Sequence, residues 1–476
     1  VKCSTKASIS ARQWFNKGDG DMVTQYEIEE RLKRLNERIG HLIPPQNTWT
    51  PSDEAVFKPV DLLAVPREEA QAMRFKAVRY AFTRHYTLNR FYHTYCDRMG
   101  VAPDDLKTDD DLAKIPLIPD VTFKAHPSGE EFAHWIADIY TGDVPAVNIP
   151  SANASFDDVI NAYNAAGLVV SYSTGTSGRH SVIPRDERNF YTFQYAAAKL
   201  GMSMRDGTAD DHSLSLFPRP TNANLGAARA TEIADLLNKD NSYGLDFKIT
   251  AEVTSKAMSG ARRQESAQQF VEEQMRQVLQ NGIKWLYRYE RSTDRIAVLT
   301  PPVLFAACMD ILEQQEKRFE FGERAWILTV GGWKTRENER IPSEDFRRRV
   351  TNILGIPEIN VLDYYGMIEM NASFQTCPEG HYYHLPYTHL KPFVLDSDLE
   401  PVGYGELGRF AFLDPLANTY PGFIMSGDEV RLLEQCPACD RLGPVLDHAI
   451  GRLSSEEMRG CAAQVRAALE QDLRGA

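Results

Sequence analysis

The sequence predicts an α/β fold in which mainly parallel strands are flanked by helices in one large domain, with a small β-rich subdomain after it. Two patterns point there. From Ala166 onward the chain turns to short β-rich runs, each leading into a turn and helical text: GLVVSYS before a Gly-rich loop, RAWILTVGG before a basic helix, and INVLDYYG before Met367. Strands alternating with helices argue for βαβ units and a parallel sheet. Beyond Glu406 the runs GELGRFAFLDP and GDEVRLLEQ read instead as antiparallel strands. In parallel sheets ligands bind at the carboxyl ends of the strands, and all three Gly-containing loops fall at such ends.

The elements follow in order. Residues 1–110 form an N-terminal helical extension leading into the main domain. It contains one amphipathic segment, TQYEIEERLKRLNERIGHLI, with apolar residues at helical intervals and alternating charges, which reads as a surface helix. Pro-rich text at Ile43 to Pro51 and helical patterns from Arg67 to Gly100 follow. Residues 111–405 are the main α/β domain, 406–452 the β-rich subdomain and 453–476 a short tail. The tail, SSEEMRGCAAQVRAALEQDLRGA, begins Ser/Glu and continues with Ala/Leu periodicity, the mark of a short helix.

Composition bounds the function. The 476 residues allow a sizeable core, and 43% hydrophobic with 25% charged residues is ordinary globular composition. A net charge of −13 disfavours a nucleic-acid partner, because each neutralised phosphate needs a Lys or Arg directed at it. The sequence holds no run of about 18 apolar residues for a membrane span, and VKCSTKASISARQWFNKGDG lacks a secretory apolar core, so a cytoplasmic protein is expected. Seven cysteines, an odd and sparse set, do not make a fully paired disulfide framework.

Ser173-Thr174-Gly175-Thr176-Ser177-Gly178 sets four hydroxyls and two glycines in six residues after a hydrophobic strand. Glycines let backbone N–H groups approach an anion, and hydroxyls add donors that follow phosphate oxygens. No Lys-Ser/Thr follows the last glycine, so this is not the usual nucleotide P-loop. A second constellation joins Cys377, a histidine at 381 or 384, and the pair Cys436 and Cys439. Three cysteines and one histidine match a closed, four-coordinate structural zinc site.

YSTGTSG resembles the phosphate-binding signature of the adenylate-forming (ANL) superfamily: acyl-CoA synthetases, peptide-synthetase adenylation domains and luciferases. Tyr365-Gly366-Met367-Ile368-Glu369 resembles its YGxTE motif and Ser426-Gly427-Asp428 its TGD motif, in the superfamily's order. The resemblance implies ATP and Mg²⁺ as cofactors. Glu369 would hold Mg²⁺ on the triphosphate, Tyr365 would stack on adenine, and Asp428 would accept from the ribose hydroxyls. Ile368 departs from the pattern, standing where the family usually has Thr. Among phenylacetate-CoA-ligase-like members a similar metal arrangement has a Cys-to-His gap most like that of Cys377 to His384.

IPLIPDVTFKAHP (Ile115 to Pro127), SGRHSVIPRD (Ser177 to Asp186), GGWK (Gly331 to Lys334) and RGC (Arg459 to Cys461) narrow the resemblance to acyl-protein synthetases of the LuxE type, over Ile115 to Cys461. Residues 111–405 are then the adenylating core. Gly331 and Gly332 would face adenine, with Trp333 walling that pocket. Typical acyl-CoA synthetases continue for about a hundred residues past the Gly-Arg hinge, the size of a small domain. Gly451-Arg452 here is followed by only twenty-four residues, so a full C-terminal ANL domain is expected to be absent or reduced. The charge developing on the α-phosphate would then meet Lys334 or Arg452. By the same resemblance Cys461 takes the acyl group and passes it to a partner reductase or carrier protein. The implied activity is ATP-dependent activation of a carboxylic acid as acyl-adenylate, with transfer to a protein thiol. The alternatives are a ligase with coenzyme A or an amine as small-molecule acceptor, and a non-catalytic nucleotide-binding scaffold. The region Ser203 to Lys256 is expected to help line the acid pocket; it contains both apolar and polar residues, including Phe217, Arg219 and Asn224, and yields no prediction of chain length or head group.

Overall fold

The computed structural model describes residues 25–174, 179–207, 210–251, 265–333 and 339–453, with backbone alone for 265–272. Its framework is a 13-stranded mixed sheet. Five strands make the parallel part, in the spatial order Asp240–Leu245, His212–Pro218, Ile296–Thr300, Ala325–Val330 and Val361–Tyr365. The runs HSLSLFP and IAVLT are buried almost throughout, as expected for parallel strands covered on both faces.

Helices supply that cover. On one face Leu286, Phe305, Met309, Phe346 and Val350, from the helices Glu265–Tyr289, Pro302–Gln314 and Ser343–Leu354, pack against Ile296, Val298, Ile327 and Val361. On the other, Leu200 and Met204 of the helix Glu187–Met204 pack with Leu328 and Leu362. The helix Gln25–Ile39 buries Ile28, Leu35 and Ile39 on one side. It docks on Glu187–Met204, where Asn36 accepts from the Tyr195 hydroxyl at 2.7 Å.

Past Tyr365 the sheet continues antiparallel through Phe374–Thr376, Tyr383–His384, Val445–Leu446, Phe423–Leu433, Leu407–Leu413 and Lys391–Leu395. Phe423–Leu433 also pairs with Ile118–Pro119 in parallel and with Gly451–Arg452. These strands share a core with the early helices: Phe82 and Tyr92 lie against Phe423, with ring centroids 6.2 and 5.8 Å away.

One expectation is corrected. GLVVSYS does not open a βαβ unit; Leu168–Tyr172 returns at once as the antiparallel strand Val182–Asp186, and the two form a separate sheet. Residues 173–181 are too few for a crossover between parallel strands, which takes about a dozen residues or more. No helix among the described residues is long and apolar enough to cross a membrane.

Candidate active site

A cavity of about 950 Å³ opens at the carboxyl ends of the parallel strands. Phe217, Pro302, Gly331 and Tyr365, each at or just past the end of a different parallel strand, all line it. The hairpin strands 168–172 and 182–186 flank its mouth and bring Ser173 and Thr174 to it. That turn is held at its neck: the Ser181 N–H donates to Ser173 Oγ at 2.8 Å, and His180 Nδ1 donates to the Ser173 carbonyl at 2.6 Å. Gly175, Thr176, Ser177 and Gly178 lie outside the described residues, as do Lys334 and Cys461 with the terminal helix.

Across the cavity stand the residues of the two later motifs. The Tyr365 hydroxyl donates to Asp428 at 2.6 Å, and Arg452 Nε lies 3.1 Å from the other oxygen of Asp428. Ser426 Oγ accepts from the Asp428 N–H at 3.1 Å, which fixes the turn of that motif. Arg452 itself is exposed, at the cavity rim. Gly331, in left-handed conformation at φ 76°, and Gly332 line the wall beside Trp333, which is buried and belongs to the core as well as to the cavity.

Glu369 is buried: only 4% of it is accessible. Burial pushes its carboxyl up from the ordinary range, Asp120 adds to the shift, and Lys124 opposes it. Ile368 leaves no gap where a Thr would stand. Its side chain fills the space over Gly226, where any Cβ would come within 2.7 Å of Ile368 Cδ1.

The segment carrying Glu369 is clamped by Arg185, a buried cation that sequence reasoning left without a role. Arg185 donates to the Ile368 carbonyl and to Asn371 Oδ1, both at 2.6 Å, and to the Tyr420 hydroxyl at 3.2 Å. Tyr420 in turn donates to the Glu369 carbonyl at 3.1 Å. Asp414 accepts from the N–H groups of Asn371 and Leu416. The available signal was an arginine directly after the apolar run Val182-Ile183-Pro184.

The region Ser203 to Lys256 contributes to the cavity in part. Phe217 lines the cavity, joined by Leu225 and by Phe190 and Phe193 of the helix Glu187–Met204. Arg219 and Asn224 do not line it. Arg219 pairs with Asp246 at 2.8 Å and lies over the Tyr243 ring, while Asn224 is bonded to Asn161 and Asn164.

Cys377, His384, Cys436 and Cys439 come together, with their ligand atoms all within 4.8 Å of one another. Three are buried, Cys439 Sγ lies 3.3 Å from His384 Nε2, and His384 Nδ1 is a buried atom without a partner. His381 is not in the group but lines the cavity. Thr376 and Tyr383, the neighbours of Cys377 and His384, also line the cavity, so the group braces its wall from behind.

This is the fold of an adenylate-forming ligase. The chain superposes on a 2-hydroxyisobutyryl-CoA ligase complexed with 2-HIB-AMP and CoA with a TM-score of 0.56 at 15% identity, covering 87% of this chain and 72% of that one. An open conformation of the same ligase gives 0.56 at 14% identity, covering 86% and 75%. The family model of the acyl-protein synthetase, LuxE, matches residues 170–470, and the chain belongs to that family. Curated relatives include the long-chain-fatty-acid–luciferin-component ligase of Aliivibrio fischeri, 24% identical over 86% of this chain and 91% of that protein. The protein of the same name from Vibrio harveyi is 23% identical over 83% and 88%. As a member of this family the protein is an ATP-dependent ligase that activates an acyl group and transfers it to protein.

Proposed function

We propose that the cavity is the adenylation site, that its acid is a long-chain fatty acid, and that the acyl group leaves on Cys461 for a partner reductase. The observation that carries this reading is the convergence of Ser173, Thr174, Glu369, Tyr365 and Asp428 on one cavity at the carboxyl ends of the parallel strands. Ser173 and Thr174, with Gly175 to Gly178, would follow the triphosphate; Glu369 would hold Mg²⁺, a hard cation that takes oxygen ligands. Gly331, Gly332 and Trp333 would wall the adenine, Tyr365 would stack on it, and Asp428 would accept from the ribose. The acyl chain would lie against Phe190, Phe193, Phe217 and Leu225, an apolar wall beside the polar one. The relatives, by name, ligate long-chain fatty acids to a luciferin component. Cys377, His384, Cys436 and Cys439 would bind one structural Zn²⁺, since three thiolates and an imidazole close its tetrahedral shell. The described cysteines are free thiols, which suits the reducing cytoplasm.

In the reaction a carboxylate oxygen attacks the α-phosphorus and pyrophosphate departs. Positioning and charge stabilisation do most of the work. The Cys461 thiol then gives up its proton and attacks the acyl carbon, the bond from that carbon to the phosphate oxygen breaks, and AMP leaves with the electron pair, giving a thioester reactive enough to hand on. The test is intact mass after incubation with MgATP and acids of graded chain length. A hydroxylamine-labile acyl adduct, absent in Cys461→Ser while pyrophosphate exchange persists, is expected. An adduct in that variant removes Cys461 as the acceptor, and none in a wild type that adenylates the acid replaces the protein thiol by a small-molecule acceptor.

A further inference from the structure

The segment IPLIPDVTFKAHP carries the family resemblance, yet the reading above gives it no task. Its position in the fold is specific. Ile118 and Pro119 pair with Ile424 and Met425, so the turn Asp120–Lys124 emerges beside Ser426 to Asp428. Phe123 is buried against Tyr420, ring centroids 5.9 Å apart, which pins the turn on the far side. Asp120 and Lys124, one helical turn apart, both line the cavity, with Lys124 Nζ 3.1 Å from Asp120 Oδ2. The ammonium acts on both opposing acids: Lys124 pulls the carboxyls of Glu369 and Asp428 down against the burial that raises them.

Several other described cations line the cavity: Arg229 pairs with Glu232 at 3.4 Å, Arg179 donates to the Lys124 carbonyl at 3.5 Å, and Arg347 has a buried Nε without a hydrogen-bond partner. Arg185 spends its donors on Ile368, Asn371 and Tyr420. Arg452 sits on Asp428 and is exposed, and Arg340 reaches the Ile450 carbonyl at 3.4 Å. Lys124 gives one of its three donors to Asp120 and, on a flexible stem, lines the same cavity as Ser173, Thr174 and Glu369. We propose that Lys124 contacts the α-phosphate during adenylation and offsets the charge that develops there, with Asp120 as the positioning residue that holds its ammonium in place. This rests on the adenylation reading. The bond between the acid's carboxylate oxygen and the α-phosphorus forms as the bond from that phosphorus to the bridging oxygen breaks. Pyrophosphate leaves with the electron pair, and Lys124 keeps its proton throughout.

The experiment is acid-dependent exchange of labelled pyrophosphate into ATP by the full chain, with thermal midpoints measured alongside. Lys124→Met keeps the stem and removes the charge. It should lower kcat by about 10²–10³-fold, the scale of one lost transition-state donor, with KM for ATP little changed. Lys124→Arg should recover at least about tenfold of that loss, because a cation returns to the same place. Asp120→Asn should cost less than Lys124→Met, and the double variant no more than Lys124→Met alone, the signature of two groups acting as one. Exchange by Lys124→Met within about threefold of wild type overturns the assignment. So does a loss that Lys124→Arg leaves unrelieved and that tracks the thermal midpoint. Wild type without exchange on any acid brings down the adenylation reading itself, an outcome separate from either.

Discussion

Arg185→Met should damage both stability and adenylation, in separable ways. Arg185 is 4% exposed, and its guanidinium holds the Ile368 carbonyl, Asn371 Oδ1 and the Tyr420 hydroxyl. Methionine fills much of the space but donates nothing. The Ile368 carbonyl and the Asn371 oxygen then lose their recorded donor inside the protein, at about 1–3 kcal/mol each, so about 2–6 kcal/mol in all. Tyr420 keeps Asn371 Nδ2 and the Glu369 carbonyl as partners and adds little to that loss. With a slope of about 3 kcal/mol per molar urea, the unfolding midpoint falls by about 0.7–2 M.

The effect on chemistry follows from what the clamp holds. Arg185 fixes the backbone on one side of Glu369 directly, and through Asn371 and Tyr420 on the other. Releasing it should loosen the carboxylate proposed to hold magnesium, raising the Mg²⁺ concentration needed for half-maximal exchange. Arg185→Lys should not rescue, since an ammonium cannot reproduce a planar fork that spans three acceptors. Urea unfolding and Mg²⁺ titrations of pyrophosphate exchange read the two effects. An unchanged urea midpoint refutes the burial argument. A lowered midpoint with unchanged Mg²⁺ dependence refutes the positioning argument.

Glu369→Gln should cut exchange by at least about 10²-fold, and, the site being buried, the amide must stay folded for the comparison to count; near-normal exchange removes Glu369 from the mechanism. One zinc per chain should be found by metal analysis of protein purified without chelator, and Cys436→Ala or Cys439→Ala should lose it together with thermal stability, because metal-binding free energy is also folding free energy; zinc-free wild type refutes the site. Burial raises the Asp414 carboxyl from 3.8 to about 6. Between those values the folded state binds more protons than the unfolded one, so this contribution is present below pH 3.8 and lost as pH rises through about 6, by about 3 kcal/mol. Urea unfolding from pH 4 to 7 should show that decline in wild type and not in Asp414→Asn; parallel profiles would exclude Asp414 as its source.

The parts of the site legible in the sequence are those whose chemistry is local. Tyr365 to Glu369 and Ser426 to Asp428 each carry their proposed chemistry in three to five consecutive residues, and the fold brings the two strings together through the 2.6 Å bond from Tyr365 to Asp428. The Cys/His cluster was legible because Cys436 and Cys439 form a half-site by spacing and the resemblance favoured His384, while its assembly depends on the strand pairing of Tyr383–His384 with Phe374–Thr376 and Val445–Leu446. What stayed hidden depends on distant partners. Asp120, Lys124 and Arg185 belong to quoted motifs, but a charge in a short string says nothing of the cavity it enters. The depth of Glu369 was hidden for the same reason: a motif names the carboxylate, and packing sets its exposure.

Ile368 shows why a departure from a motif is best judged across the fold. Read locally, it is a lost hydroxyl. In the structure its side chain occupies the space that Gly226 leaves open, 142 positions earlier in the chain, and its carbonyl is one of the acceptors of Arg185. An isoleucine therefore fits this place because a glycine faces it, and its backbone helps hold the turn that carries Glu369. The substitution changes which atoms line the cavity but leaves the clamp on Glu369 intact, since that clamp is built from the backbone carbonyls of 368 and 369 and from Asn371, not from the side chain at 368. Conserving the position of the carboxylate requires the Arg185 network and not the threonine hydroxyl. In the proposed site the donors to the phosphates can then come from Ser173, Thr174 and Lys124, which line the same cavity.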